Sequence, residues 1–168
     1  MTPPRIAAVP LDHAGVRLEP LGETHRAGLA AAGAAAEIWR FLPYDGTGPG
    51  FDTWFDWSLG LNREDKETVW AVRNMADGAI VGTTRYLNIA ARDLRVEIGS
   101  TWYAPAVWGS HVNPACKRML LAHGFETLGL NRIELKTDLR NLRSQAAVSS
   151  THLTLPTNRE GGDAWYAA

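Results

Sequence analysis

A short loop near the middle of the chain places a glycine, a serine and a histidine directly before a predicted helix. The loop covers residues 108–113, has the sequence WGSHVN and follows a strand predicted over residues 94–103. A strand that passes through such a loop into a helix gathers unpaired backbone N–H groups at the positive end of the helix dipole. This arrangement suits a phosphate or pyrophosphate group. The loop is therefore a candidate anion site.

The loop alone does not identify a ligand. It contains one glycine, no GK[ST] follows it, and the chain has no GxGxxG, so neither a P-loop nor a dinucleotide fingerprint is present. An ordinary strand–loop–helix connection stays open as the alternative. Asn113 and Pro114 suit the N-cap and the first position of the following helix. Gly129 suits its C-terminal end.

The pattern of apolar residues predicts the elements that position this loop. After a loose leader over residues 1–15, the order is β-α-α-β-β-β-α-β. That order combines antiparallel hairpins with one β-α-β crossover, and it predicts an α+β fold with a mixed sheet. The predicted strands cover residues 16–21, 68–73, 79–87, 94–103 and 131–138, and the predicted helices cover residues 26–40, 51–63 and 114–128.

Composition excludes several other classes of protein. The net charge is −1, from 17 basic and 18 acidic residues, so we expect no nucleic-acid partner. Cys116 is the only cysteine, and the five histidines are far apart, so we expect neither disulfides nor a metal site. No signal peptide or membrane span is visible. The expected location is the cytoplasm, without a membrane partner.

Several segments, in the right order, resemble the GNAT superfamily of N-acetyltransferases. Residues 96–126 resemble its acetyl-CoA-binding core, and the branch that contains the ribosomal-protein N-terminal acetyltransferases is the most similar. Residues 16–21, 37–43 and 131–147 resemble other elements of that branch. The resemblance covers about residues 10–147. It implies a central mixed, mostly antiparallel sheet flanked by helices, with the acyltransferase domain over residues 16–147.

The resemblance also implies an activity. The expected reaction is direct attack of a primary amine on acetyl-CoA in a ternary complex, with no metal. The amine acceptor is either a protein N-terminal α-amino group or a small molecule. Glu97, acting through a water, and Ser144 are the candidate catalytic residues. For Glu97 the open alternative is a solvated strand residue, or one that is ion-paired with Arg85 or Arg95.

Acetyl-CoA contacts follow from the same resemblance. Asn141 is either a cofactor contact or the N-cap of a helix that begins at Leu142, and the two roles are compatible. His111 occupies a position where the family commonly has glycine, so it either crowds the diphosphate or hydrogen-bonds to it. The implied cofactor-binding residues are Ile98, Ser100, Thr101, Trp102, Trp108, Gly109, Ser110, His111, Val112, Asn113 and Asn141.

The resemblance stops after Ala147. The family continues with a helix and a strand pair, whereas this chain continues with β-branched and hydroxyl residues and Pro156, which are poor helix formers. We therefore expect that helix and strand pair to be missing or replaced, and residues 148–168 to form an irregular tail. A catalytically impaired CoA-binding or interaction module is the resulting alternative function. Residues 131–138 would then form an exposed sheet edge.

Overall fold

The structure is a computed structural model that describes residues 4–138, 140–149, 158–160 and 163–167. The strands are Leu11–His13 (β1), Val16–Pro20 (β2), Thr68–Asn74 (β3), Ile80–Ala90 (β4), Arg95–Tyr103 (β5), Arg132–Asp138 (β6), Asn158–Glu160 (β7) and Asp163–Ala167 (β8). The α-helices are Arg26–Ala32 (α1), Gly50–Arg63 (α2), Val112–Ala122 (α3) and Leu142–Ser149 (α4).

All described strands belong to one sheet, in the order β1-β2-β3-β4-β5-β6-β8-β7. The β5–β6 pair is parallel, and the other neighbours are antiparallel. The parallel pair is the predicted β-α-β crossover, with α3 as its helix. The structure therefore confirms the predicted α+β fold with a mixed, mostly antiparallel sheet flanked by helices.

The sheet separates two apolar cores. On one face α3 packs against the strands, and this core contains Val96, Ile98 and Leu120. On the other face α1 and α2 cover an aromatic core that contains Trp39, Trp54 and other rings at edge-on or tilted angles. Burial of both faces accounts for strands that are apolar along much of their length.

The first predicted helix is shorter in the structure. It ends at Ala32, and a 3₁₀ turn over Ala36–Ile38 follows instead of further α-helix. The buried indole of Trp39 donates a hydrogen bond to the Gly33 carbonyl over 2.8 Å. A Cβ on Gly33 would approach ring atoms of Trp39 and Trp102 to 3.1 Å. Aromatic packing therefore overrides the helix propensity of the alanine-rich segment.

The leader is attached to the sheet and is not loose. The apolar pattern did not predict β1. This strand pairs with β2. The Thr68 hydroxyl donates to the Ile6 carbonyl over 2.6 Å, and the Trp70 indole donates to the Val9 carbonyl over 2.8 Å. These buried donors need acceptors, and the leader backbone supplies them.

Ser100 introduces one extra residue into β5. Thr83 of β4 lies opposite Trp102, whereas Arg85 lies opposite Gly99, so β5 advances three residues while β4 advances two. Ser100 has a φ of 47°, in the left-handed region. This is a β-bulge. Because of it, the side chain of Trp102 enters the aromatic core while that of Ile98 enters the core under α3.

The C-terminal segment differs from the expected irregular tail. After β6 the chain forms α4, which ends at Ser149, and two further strands. β8 pairs antiparallel with β6, from Glu134 opposite Ala167 to Asp138 opposite Asp163. An unpaired β6 edge would leave its N–H and C=O groups without ladder partners. Pairing of backbone groups thus outweighs the poor local signal of this segment.

Removal of residues 158–168 would expose that edge. We predict that a chain ending at residue 157 melts at least several degrees lower and aggregates on warming, because β6 becomes an open template for other chains. Scanning calorimetry with light scattering would measure both. A truncated chain that melts with the full-length protein and stays monodisperse would contradict the assigned pairing.

Candidate functional site

A gap opens between the parallel strands β5 and β6. Their register runs from Arg95 opposite Arg132 to Ile98 opposite Leu135 and then ends. Beyond it, residues 99–103 have no pairing with β6 among the residues that the structure describes. Since the two strands are parallel, the gap lies at the carboxyl end of both. Backbone N–H and C=O groups along the β5 side of the gap are therefore available to a ligand.

The loop before α3 lies at the same end of β5. Gly109 has a φ of 71°, which favours glycine. The Ser110 hydroxyl donates to the Val107 carbonyl over 2.7 Å and accepts from the Val112 amide over 3.3 Å. Within the described chain, the amides of Gly109, His111 and Asn113 have no protein acceptor. These donors and the α3 dipole fit a phosphate group.

The predicted capping role of Asn113 is wrong. α3 begins at Val112, two residues earlier than that role requires, and the Asn113 side-chain oxygen accepts a hydrogen bond from the Tyr103 hydroxyl over 3.1 Å. His111 precedes the helix with a φ of −70° and is exposed. An ordinary φ means that the backbone at residue 111 does not require glycine.

The start of α4 meets this loop. The Asn141 side-chain oxygen accepts from the Ser144 amide over 3.1 Å, so the predicted N-cap is confirmed. The guanidinium carbon of Arg143 lies 3.5 Å from the centre of the Trp108 ring. That contact brings the α4 start to the α3 loop. Sequence reasoning did not select Arg143, although a cation beside Asn141 in the family-like segment was the available signal.

Glu97 lies at the base of the gap and is 6% exposed. Its Oε2 atom accepts from the Asn88 amide over 2.7 Å and pairs with the Lys136 ammonium over 2.7 Å. It is therefore an ion-paired strand residue, but its partner is neither Arg85 nor Arg95. Those cations pair with Glu67 and Glu134 instead. The role of Glu97 as a base stays a prediction.

Gly99 keeps space open beside the Glu97 carboxylate. A Cβ at residue 99 would lie 3.3 Å from the Glu97 Oε1 atom and 2.8 Å from a Leu87 methyl carbon. Ser144 lies in the first turn of α4, where its amide donates to the Asn141 side-chain oxygen. Its role as a catalytic residue stays a prediction.

The predicted cofactor contacts lie in three different places. Residues 108–113 and Asn141 lie at the mouth of the gap. Ile98 and Trp102 direct buried side chains into the two cores, so only their backbone groups can face a ligand in the gap. Ser100 and Thr101 form the bulge beside it.

A buried polar cluster lies beneath the bulge, on the α3 face. Lys117 is 8% exposed, and its ammonium is 3.5 Å from the Thr101 hydroxyl, which is 2.8 Å from that of Thr84. Burial lowers the pKa of Lys117 to about 8. Burial also raises the pKa of the Cys116 thiol to about 11, so this cysteine is a core residue and not an activated nucleophile.

Metal-binding clusters and membrane-spanning helices are both absent from the described residues. No group of three or more His, Cys, Asp or Glu side chains there has the geometry to hold a metal ion. In the same residues, no helix has both the length and the apolar character needed to cross a membrane.

Comparison with known proteins agrees with this geometry. Residues 16–154 match the family model of the acetyltransferase (GNAT) domain, so the chain belongs to the GNAT acetyltransferase family. The match extends seven residues past Ala147, where the sequence resemblance stops. No curated protein sequence matches the chain.

Solved structures share the fold. A GCN5-related N-acetyltransferase from Brucella melitensis has a TM-score of 0.84 at 22% identity, covering 100% of this chain and 82% of its own. Mycobacterium smegmatis RimJ, in complex with CoA-disulfide, has a TM-score of 0.74 at 19% identity, covering 91% and 81%. The Vibrio fischeri ribosomal-protein-S5-alanine acetyltransferase has a TM-score of 0.70 at 14% identity, covering 96% of each chain. At these identities the three likenesses show the fold alone.

The Asn141 cap gives a prediction about stability. Asn141→Ala removes the acceptor of the Ser144 amide, and we expect the free energy of unfolding to fall by about 1 kcal/mol. Asn141→Asp keeps an acceptor and should stay close to the wild type. Urea denaturation of the three proteins would compare them. Equal losses in both variants would show that the cap is not the stabilising contact.

Lys117 gives a prediction about pH. Between its folded pKa of about 8 and its ordinary value of 10.5, the unfolded chain binds more protons at this residue, so this group makes stability rise with pH there. Well below pH 8 Lys117 is protonated in both the folded and the unfolded chain, so it does not make stability depend on pH there. Lys117→Met removes the rise, while the opposing contribution of Cys116 remains in both proteins. Urea denaturation from pH 7 to 10 should therefore show the wild type gaining stability relative to the variant. A constant difference would contradict the lowered pKa.

Proposed function

We propose that the protein is an N-acetyltransferase that transfers the acetyl group of acetyl-CoA to a primary amine by direct attack in a ternary complex. Membership of the GNAT acetyltransferase family supports acetyl transfer in general. The observation that carries the proposal is the gap between β5 and β6, which opens next to the unpaired amides at the start of α3. The single buried cysteine is compatible with a reducing, cytoplasmic location.

Acetyl-CoA fits the residues at this end of the sheet. The amides of Gly109, His111 and Asn113 would hold the diphosphate, with the Arg143 guanidinium adding positive charge. The β5 backbone from Gly99 to Tyr103 offers ladder groups for the amides of the pantetheine arm. When bound, acetyl-CoA supplies an activated acyl group as a thioester. Backbone N–H groups at the bulge would then stabilise the developing oxyanion.

Glu97 is the proposed base. Lys136 and Asn88 hold the carboxylate in a fixed position, and the missing side chain at Gly99 leaves room beside its Oε1 atom. A water in that space could pass a proton from the amine to the carboxylate. An α-amino group, whose pKa is near ~8, needs only such a modest base, whereas a lysine at ~10.4 needs a stronger one.

The proposed acceptor is the α-amino group of a protein N-terminus. The name of the Vibrio fischeri neighbour refers to an alanine of a ribosomal protein, and the resemblance of the sequence is to the same branch. The modest base supports this choice over a lysine side chain. A small-molecule amine remains the alternative acceptor.

One observation favours a second candidate, a CoA-binding module with impaired catalysis. The Lys136 ammonium and the Asn88 amide both engage the Oε2 atom of Glu97, so this oxygen is not free to bind a water or an amine. In such a module, acetyl-CoA would bind in the gap but no acetyl group would reach an amine.

Measurements with acetyl-CoA distinguish the N-acetyltransferase from the CoA-binding module. We expect acetyl-CoA to raise the melting temperature, and free thiol to appear faster with alanine-terminated peptides than with lysine analogues. Glu97→Gln should lower kcat about a hundredfold, as expected for loss of a general base. Glu134→Gln removes an ion-paired glutamate at the same level of the neighbouring strand and should leave kcat unchanged.

The outcomes differ for each hypothesis. A rise in melting temperature without thiol release would favour the module. The absence of both would count against acetyl-CoA as a ligand altogether. Equal kcat values for the wild type and Glu97→Gln would reject Glu97 as the base.

A further inference from the structure

Lys117 is a buried cation without a buried anion. It lies on α3 with 8% of its surface exposed, and no carboxylate of a described residue pairs with it. Its one hydrogen-bond partner among those residues is the Thr101 hydroxyl, over a long 3.5 Å. A buried ammonium with so little compensation is costly, and a residue of this kind is a candidate for a functional role.

The ammonium restricts how Thr101 can orient its hydroxyl. An ammonium only donates, so the Thr101 oxygen must accept from it. The Thr101 proton then points either to the Thr84 hydroxyl, 2.8 Å away, or to the Gly99 carbonyl, 3.4 Å away. Both acceptors lie at the bulge, one on β4 and one on β5. A neutral Lys117 amine could instead accept a proton, and this restriction would disappear.

Thr101 directly follows Ser100, whose left-handed backbone forms the bulge. The same stretch of β5 forms one wall of the gap. Any change in the hydroxyl chain from Lys117 through Thr101 to Thr84 therefore acts on the backbone that faces the gap.

We propose that Lys117 is a positioning residue for acetyl transfer, whose ammonium fixes the Thr101 hydroxyl and through it the bulged backbone of β5. This inference rests on the proposed function, since the gap is where acetyl-CoA would bind. Lys117 does not contact the reacting atoms. It acts through Thr101.

Lys117 is the group in this cluster that changes charge near neutral pH. Burial lowers its pKa to about 8, whereas burial raises the pKa of Cys116 on α3, of Tyr103 on β5 and of Tyr86 on β4. β1 and β2 also pack against α3. Their Asp12 and Arg17 pair with each other, Glu19 pairs with Arg73 and His25, and His13 lines a surface cavity with Arg118 and His123. Burial lowers the pKa of His123 from its ordinary value.

The first test needs no cofactor. We expect the backbone amide shifts of Ser100 and Thr101 in the free protein to titrate between pH 7 and 9. The titration should disappear in Lys117→Met and persist in Arg118→Met, which removes an exposed charge from the next position of the same helix. Flat shifts in the wild type, or an unchanged titration in Lys117→Met, would overturn the proposal.

The second test uses turnover of acetyl-CoA. Near pH 7 we expect Lys117→Met to lower kcat about tenfold, with KM for both substrates changed less than about threefold, as for a mispositioned reaction centre. The ratio of wild-type to variant kcat should approach one above pH 9, because the wild-type amine is then neutral too. A ratio that stays constant with pH would show a merely structural role and overturn the inference.

Failure of the proposed function gives a different result. A wild type that titrates at Ser100 and Thr101 but neither binds nor turns over acetyl-CoA would reject the acetyltransferase, and with it the part of the inference that concerns catalysis. Thr101→Val serves if Lys117→Met does not fold. It should also abolish the titration at Ser100, and a persisting titration there would overturn the proposal.

Discussion

The insertion of one residue at Ser100 is the constraint on which the site depends. A left-handed conformation at a serine costs of order 1 kcal/mol or more, so the surrounding structure has to maintain it. The Thr84–Thr101 hydrogen bond and the burial of Trp102 in the aromatic core supply that support. The pairing of β5 with β6 ends at Ile98, just before the bulge, and the gap begins there.

Polar contacts bound this gap at two levels. At its base, Lys136 pairs with Glu97 across the parallel strands, and Glu134 pairs with Arg95 and Arg132. Such pairs add little net stability, because desolvation of the charges offsets much of their attraction. At its mouth, Arg143 lies over Trp108 and ties the starts of the two helices together.

Features encoded within a few residues could be predicted from the sequence. The strand–loop–helix unit around Gly109 and the Asn141 cap are of this kind, because the residues that form each contact lie within one turn of each other. The partner of Glu97 could not be predicted. Lys136 approaches it through the register of a parallel pair, and that register depends on packing across the whole sheet. The capping role predicted for Asn113 is wrong for a similar reason. The Tyr103 hydroxyl, from another element, donates to the side-chain oxygen that the cap would use.

The C-terminal strands show how a segment with weak family resemblance can still protect the site. β6 pairs with β5 only as far as Leu135, so its remaining residues would be free to extend that ladder and close the gap. β8 pairs with the opposite edge of β6 from Glu134 to Asp138, so it keeps Lys136 to Asp138, which no longer pair with β5, in the sheet. Backbone pairing depends little on side-chain identity, and many different sequences can provide it. Loss of the family pattern after Ala147 is therefore compatible with a paired β6 and with the gap on its other side.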